Sequence, residues 1–252
     1  MTPTSPRQFR RVLVGAKIVG ITRRGKYLLF KLCPKRGHPP VTLLGHLGMT
    51  GRMFLARTGD RLPKHTAVVL GLRRGKFIYQ DTRYFGRLTL DISAVAKLGP
   101  EPLSADFDGA GFTQALKRSR QAIKVKLLDQ TLVAGIGNIY ASEALFRARI
   151  SPRLLAGRLN AAQVRRLRRA IRAVLAKAVA CGSTVPMNLG GNRKNDGFFH
   201  FGHSAGTTDF YEERLRVYDR EGEPCWKCGA PIKRIVQAAR STFFCPICQR
   251  AN

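Results

Sequence analysis

The chain has 252 residues, 44% of them hydrophobic, enough to bury a core and too many for wholesale disorder. Its 45 Lys and Arg against 15 Asp and Glu leave a formal charge of +30, which repels itself unless a polyanion is the partner, and nucleic acid leads that class. A membrane surface is the competing partner, weakened because no stretch approaches a transmembrane run and no basic amphipathic anchor stands apart.

Residues 1–11 open abruptly, with Pro3 and Pro6 and no secretion-signal pattern. From Ala16 the pattern is β. Ile18, Val19 and Ile21 precede an Arg23-Arg24-Gly25 turn, and residues 27–32 follow it. Residues 41–44 form a short apolar run ending at Gly45-His46-Leu47-Gly48-Met49, and residues 52–55 continue after Gly51. Residues 65–72 and 77–80 flank Arg73-Arg74-Gly75-Lys76, a hairpin turn, and residues 86–90 make one more strand. Short strands at close spacing with Gly turns predict a β-sandwich or barrel to about residue 92. Cys33 and Cys181 stand alone in apolar stretches and read as buried thiols in a reducing cytosol.

The period then changes. Leu98-Gly99-Pro100-Glu101-Pro102-Leu103 is a stiff connection and a domain boundary. Helical patterns follow at 113–119, 122–129, 138–147 and 160–181. The last has Asn160 as a cap with Gln163 three residues on, and Gly182 to end it. Val164, Leu167, Ile171, Val174, Leu175 and Ala178 line one face. Arg165, Arg166, Arg168, Arg169 and Arg172 crowd the other, and a solvated helix surface explains them as well as a ligand does. Residues 182–209 are Gly-rich and aperiodic, a functional or disordered loop holding His200 and His203.

Near the end, Cys225-Trp226-Lys227-Cys228 and Cys245-Pro246-Ile247-Cys248 are separated by 16 residues. Two CxxC pairs at that spacing spell a tetrahedral zinc site joined by a β-hairpin. So small a hairpin buries too little apolar surface to fold alone, so the metal must hold it. Two disulfides in a secreted domain are the alternative.

Other constellations are weaker. Gly135-Ile136-Gly137-Asn138 precedes a helix, where free N–H groups bind anions, although an Asn N-cap with a Gly turn is also a common structural device. Glu143, one turn in, suits the helix dipole. Arg83 and Phe85 share one face of an extended segment and Met49 lies on a Gly-flanked turn. An arginine with apolar wedges fits a gap in a base stack, but a core Phe and a surface Arg fit the pattern too. No catalytic triad stands out.

Together these stretches resemble formamidopyrimidine-DNA glycosylases of the Fpg/Nei family. The matching runs are Arg24-Gly25-Lys26-Tyr27-Leu28-Leu29, His46-Leu47-Gly48-Met49-Thr50-Gly51, Asp81-Thr82-Arg83-Tyr84-Phe85-Gly86, Leu98-Gly99-Pro100-Glu101-Pro102-Leu103, Gly135-Ile136-Gly137-Asn138-Ile139-Tyr140-Ala141-Ser142-Glu143, and Glu221-Gly222-Glu223-Pro224-Cys225 through Cys248. They stand in the family's order across nearly the whole chain.

The resemblance implies an α+β, multidomain chain. Residues 1–96 would form an N-terminal β-sandwich, truncated here. Residues 97–219 would form a helix–two-turn–helix domain with a lesion-covering loop near 182–209, and residues 220–252 a C-terminal zinc-finger β-hairpin with four cysteine ligands. DNA would lie in a basic cleft, with Met49, Arg83 and Phe85 filling the space of a flipped base and Lys26, Asn138 and Arg240 gripping phosphates. One structural Zn²⁺ would sit on Cys225, Cys228, Cys245 and Cys248. The partner would be duplex DNA carrying oxidised bases or abasic sites, and the protein a cytoplasmic, nucleoid-associated monomer.

The family's chemistry uses an N-terminal proline amine on the sugar C1′, with a neighbouring Glu, to release the base and nick the strand by β/δ-elimination. This sequence begins Met1-Thr2-Pro3-Thr4 and reaches Lys26 early, so that proline, its Glu, the opening helix and the first strand are expected to be missing, and no catalytic residue is assigned. A start placed too late and a true truncation both fit. The competing functions are a non-catalytic damaged-DNA binder and a zinc-ribbon protein of the transcription or ribosome machinery.

Overall fold

The structure, a computed structural model, describes residues 4–35, 39–180 and 215–250; Cys181, His200, His203 and the 182–209 stretch lie outside the described residues. Two compact units divide the chain, Met1–Leu98 and Gly99–Asn252.

The first unit starts with a helix that hydrophobic periodicity did not reveal, α1 (Pro6–Leu13). Its start is nevertheless written locally. The Ser5 hydroxyl accepts from Gln8 N at 3.2 Å, and Pro6 fills the first helical position, where its missing N–H costs nothing.

Seven strands follow: β1 (Lys17–Arg24), β2 (Tyr27–Cys33), β3 (Val41–His46), β4 (Gly51–Ala56), β5 (Thr66–Leu72), β6 (Gly75–Asp81) and β7 (Arg87–Thr89). They form two antiparallel sheets, ordered β1-β2-β3-β7 and β4-β6-β5. The sheets meet through Phe30 and Phe77, whose rings stand edge to face at 5.6 Å, and through Leu28, Leu32, Leu43 and Met53, all buried. Leu28, Phe30 and Leu32 alternate into this core, so period two turns Cys33 outward; it is exposed, not the buried thiol its apolar neighbours suggested.

A short helix, α2 (Ser93–Ala96), closes the first unit. The second unit holds α3 (Gly109–Lys117), α4 (Ile123–Leu127), α5 (Asn138–Ala148) and α6 (Ala161–Ala180), followed by the hairpin β8 (Lys233–Gln237) and β9 (Arg240–Phe244). The α6 cap forms as the sequence indicates: Gln163 N donates to Asn160 Oδ1 and Asn160 N to Gln163 Oε1, both at 2.9 Å. Leu116, Ile123, Leu127, Ile136, Leu145, Leu167 and Ile171 fill one continuous core.

The arginine face of α6 is partly spent on structure. Arg168 Nε reaches Phe107 O at 2.7 Å, and Arg172 Nη1 reaches Pro102 O and Ser104 O at 3.1 and 2.9 Å. These bonds clamp the 102–107 connection to α6. No helix among the described residues is long and apolar enough to cross a membrane.

Candidate nucleic-acid interface and metal centre

Two turns of the first unit bring together residues 34 positions apart. The Leu47–Gly51 turn closes with Gly51 N on Leu47 O at 2.8 Å and leaves Met49 57% exposed at its tip. The segment after β6 leaves Phe85 64% exposed. Arg83 Nη1 stands 3.8 Å from Met49 Sδ. Gly48, at φ +65°, makes this approach possible: a Cβ there would meet Gly86 N at 2.7 Å and Phe85 C at 2.8 Å.

One buried carboxylate links the turns. Asp81 Oδ1 accepts from Thr50 Oγ1 at 2.5 Å and Arg83 N at 3.2 Å, and Oδ2 from Gly86 N at 2.7 Å and Tyr79 OH at 3.4 Å. Burial pushes its pKa up, but the bonds from Thr50, Gly86, Arg83 and Tyr79 outweigh it and hold the group below the usual carboxylate range.

Lys26 is exposed at the β1–β2 turn, one residue from Tyr27, which pairs with His46. His46 Nδ1 accepts from Gly48 N at 3.1 Å, tying the strand to the Met49 turn. Burial, then the charges of Lys26 and Arg87, lower the His46 pKa. The imidazole is thus kept neutral, the state in which Nδ1 accepts.

In the second unit, Asn138 and Arg240 come together although distant in sequence, around a lysine that the sequence reading passed over. Gly137, at φ −111°, occupies the N-cap of α5, so Asn138 is the first helical residue and not the cap expected from the Gly turn. Its amide is therefore available to other partners. Oδ1 accepts from Lys124 Nζ, and Nδ2 donates to Ser241 O, beside Arg240, at 2.8 Å.

Lys124 is fully buried, and burial, then the Arg240 charge, draws its pKa down to about 8. Nothing in the local sequence marks it out, because its burial comes from residues distant along the chain. Arg240 is held at the mouth of a two-residue turn in which Ala238 and Ala239 both take positive φ, 48° and 57°. Glu143 does more than suit a dipole: its carboxylate accepts from the backbone N–H of Arg216, Val217 and Tyr218, each at 2.9 Å, and so fixes the approach to the cysteines.

Cys225, Cys228, Cys245 and Cys248 place their sulfurs within 4.8 Å of one another. Cys225 and Cys248 are 4.0 Å apart, and Cys228 and Cys245 are 3.5 Å apart. A tetrahedral ion with metal–sulfur bonds of about 2.3 Å requires sulfur separations of about 3.8 Å, so the set fits a structural zinc ion and is far too open for S–S bonds of about 2.05 Å. Burial pushes the Cys245 and Cys248 thiols up, so four thiolates need a bound cation to coexist. The finger is not free-standing. Its small core of Val217, Ile232 and Phe243 packs on Phe146 of α5, and Gln249 Nε2 donates to Ile150 O at 2.9 Å.

Three family models match the chain. They are the formamidopyrimidine-DNA glycosylase N-terminal domain over residues 1–88, the formamidopyrimidine-DNA glycosylase H2TH domain over 98–188, and the zinc finger found in FPG and IleRS over 222–251. The chain is 42% identical over 248 residues to the formamidopyrimidine-DNA glycosylase of Desulfitobacterium hafniense, covering 96% of this chain and 85% of that protein. It is likewise 42% identical to that of Thermus thermophilus, covering 97% and 87%.

Among solved structures, the Thermus thermophilus MutM (Fpg) protein matches with a TM-score of 0.77 and 43% identity, over 93% of this chain and 84% of that one. Lactococcus lactis Fpg, in complex with DNA containing N7-benzyl-Fapy-dG, matches with a TM-score of 0.82 and 35% identity, over 97% and 86%.

Proposed function

Because the chain belongs to the formamidopyrimidine-DNA glycosylase family, we propose that it binds duplex DNA bearing oxidised purines or abasic sites, holds the damaged nucleotide out of the stack, and acts in base excision with strand nicking at the abasic site. The observation that carries this reading is the pair of adjoining turns that expose Met49 and Phe85, with Arg83 reaching Met49. Exposed apolar side chains at two loop tips gain nothing from water, whereas a gap in a base stack buries them, and Arg83 offers donors to the base left unpaired.

Lys26, Asn138 and Arg240 are assigned to phosphates, and the Lys124 ammonium beside Asn138 adds charge to that grip. Residues 1–96, 97–219 and 220–252 are the corresponding sandwich, helical and zinc-finger domains. Zn²⁺ on the four cysteines is structural, and we infer a monomer on DNA. No residue of the chain is assigned the nucleophile's role.

The test is equilibrium binding by fluorescence anisotropy to three duplexes of one sequence, carrying 8-oxoguanine, a tetrahydrofuran abasic analogue, or no lesion. The damaged duplexes are expected to bind about tenfold tighter or more; equal affinity for all three overturns the reading. Arg240→Ala is expected to weaken binding and lower the salt slope by about one, with zinc retained.

A further inference from the structure

The exposed side chains of the two turns cannot hold each other in place. Met49 and Arg83 share a single 3.8 Å contact, and Phe85 is mostly in solvent. Their backbones meet at Asp81. This residue ends β6, pairs with Gly51 at the start of β4, and is 1% exposed. Its Oδ1 faces the Met49 turn, through Thr50, and the head of the second turn, through Arg83 N. Its Oδ2 faces the tail of that turn, through Gly86 N. Thr50 Oγ1 also lies 3.3 Å from Arg83 N, closing a triangle. Tyr84, between the two N–H donors, is held at φ +53°, a conformation that costs a non-glycine residue about 1 kcal/mol and that persists only when neighbours impose it.

We propose that Asp81, with Thr50, is a positioning residue that locks Met49, Arg83 and Phe85 into one rigid wedge before DNA arrives. This deepens, and rests on, the reading of those three side chains as occupants of the flipped nucleotide's space. Three of the four donors around the carboxylate come from the two turns, and the fourth, Tyr79 OH, lies against the core. The arrangement therefore spends a buried charge on loop geometry more than on sheet packing. A lowered carboxylate pKa keeps Asp81 ionised and accepting on both oxygens through the physiological range.

The two members are separable. In Asp81→Asn the amide NH₂ settles best against Tyr79, whose hydroxyl oxygen accepts, and this leaves Gly86 N–H without an acceptor; the Phe85 end loosens. In Thr50→Val the link between the Met49 turn and Arg83 is cut while Asp81 stays intact.

The experiment is a double-mutant cycle on the full chain, read as affinity for a duplex with one tetrahydrofuran site and for its undamaged counterpart. In the native background Asp81→Asn is expected to weaken abasic-duplex binding about tenfold and Thr50→Val about threefold, with undamaged-duplex affinity held by the phosphate contacts. In a Met49→Ala/Phe85→Ala background both are expected to cost less than about twofold, because the wedge they organise is gone. Equal losses in both backgrounds, or no loss for either variant, overturn the positioning role. If Met49→Ala/Phe85→Ala itself leaves abasic-duplex binding unchanged, the wedge reading falls, and that result is distinct from failure at Asp81.

Discussion

The turns of the first unit and the hairpin of the second place their side chains by opposite means. Met49, Arg83 and Phe85 stand exposed on loops, and what fixes them lies underneath: a carboxylate, a hydroxyl and a glycine that lets two backbones touch. Lys124 is buried and bonded to the half-buried Asn138, which in turn donates to the strand that carries Arg240, and that strand runs directly into the cysteine cluster. On the proposed reading the two apolar tips must stay open to be usable, and accordingly their supports are buried while they are not. The proposed phosphate grip is layered instead: Lys124 is buried beside the half-buried Asn138, while Arg240 stays exposed, so two cationic side chains are held near one another at some cost. The difference predicts that the second region is the more fragile and the more sensitive to pH.

The largest effect expected from this comparison is loss of the metal. Cys228→Ser, or a strong chelator, removes an interaction worth on the order of 10 kcal/mol in isolated zinc fingers, unfolding the hairpin and displacing Arg240 while the sandwich strands persist. Trp226 is the only tryptophan, and the Arg216 and Arg220 guanidinium carbons lie 4.1 and 5.2 Å from its ring centre. Its emission therefore reports the collapse directly, and an unchanged spectrum with lost zinc refutes the metal's structural role.

Asn138→Ala comes next. It strands the Lys124 ammonium and the Ser241 carbonyl together, and urea denaturation is expected to show a loss of about 2–4 kcal/mol. A loss below about 0.5 kcal/mol means that the interior is wetter than the burial of Lys124 implies.

The pH dependence follows from the same lysine. Its folded pKa, about 8, lies below the ordinary 10.5, because burial and then Arg240 disfavour the charge. Between those values the unfolded chain holds the extra proton. Stability therefore rises with pH across that window, by up to about 3 kcal/mol. DNA phosphate favours the charged lysine, so affinity moves the other way and falls above a pH of about 8. Lys124→Met is expected to flatten both curves, and a pH response that survives this substitution assigns it to another group.

The smallest effect separates hairpin strain from hairpin function. Ala238→Gly or Ala239→Gly relieves a positive-φ alanine and is expected to stabilise the finger by about 1 kcal/mol, seen as a higher midpoint in thermal unfolding. If affinity for damaged DNA drops in these variants while stability rises, the rigid turn is itself part of how Arg240 is presented.

Much of this was legible before any coordinates, and the reasons are local. The strands of the sandwich announce themselves by short apolar runs or alternation between Gly turns, and α6 by its face of Val164, Leu167 and Ile171 and its Asn160–Gln163 cap. The four cysteines carry their ligand chemistry in their spacing. Illegible features depend on distant neighbours. Lys124 looks like any solvated lysine until α5 and the hairpin close over it, and Cys33 looks buried until the register of β2 turns it out. Asn138 reads as a cap until Gly137 takes that position.

By itself, then, the sequence determined most of the strands and helices and the four-cysteine cluster, because periodicity, turn chemistry and ligand spacing act over a few residues. Only the tertiary structure decided that Met49 and Arg83, or Asn138 and the strand of Arg240, are neighbours. It also decided that Asp81 organises the first pair and Lys124 lies beside the second. Those relations arise from packing across 34 and 103 positions of chain, where burial and hydrogen-bond satisfaction, not local pattern, fix which polar groups meet.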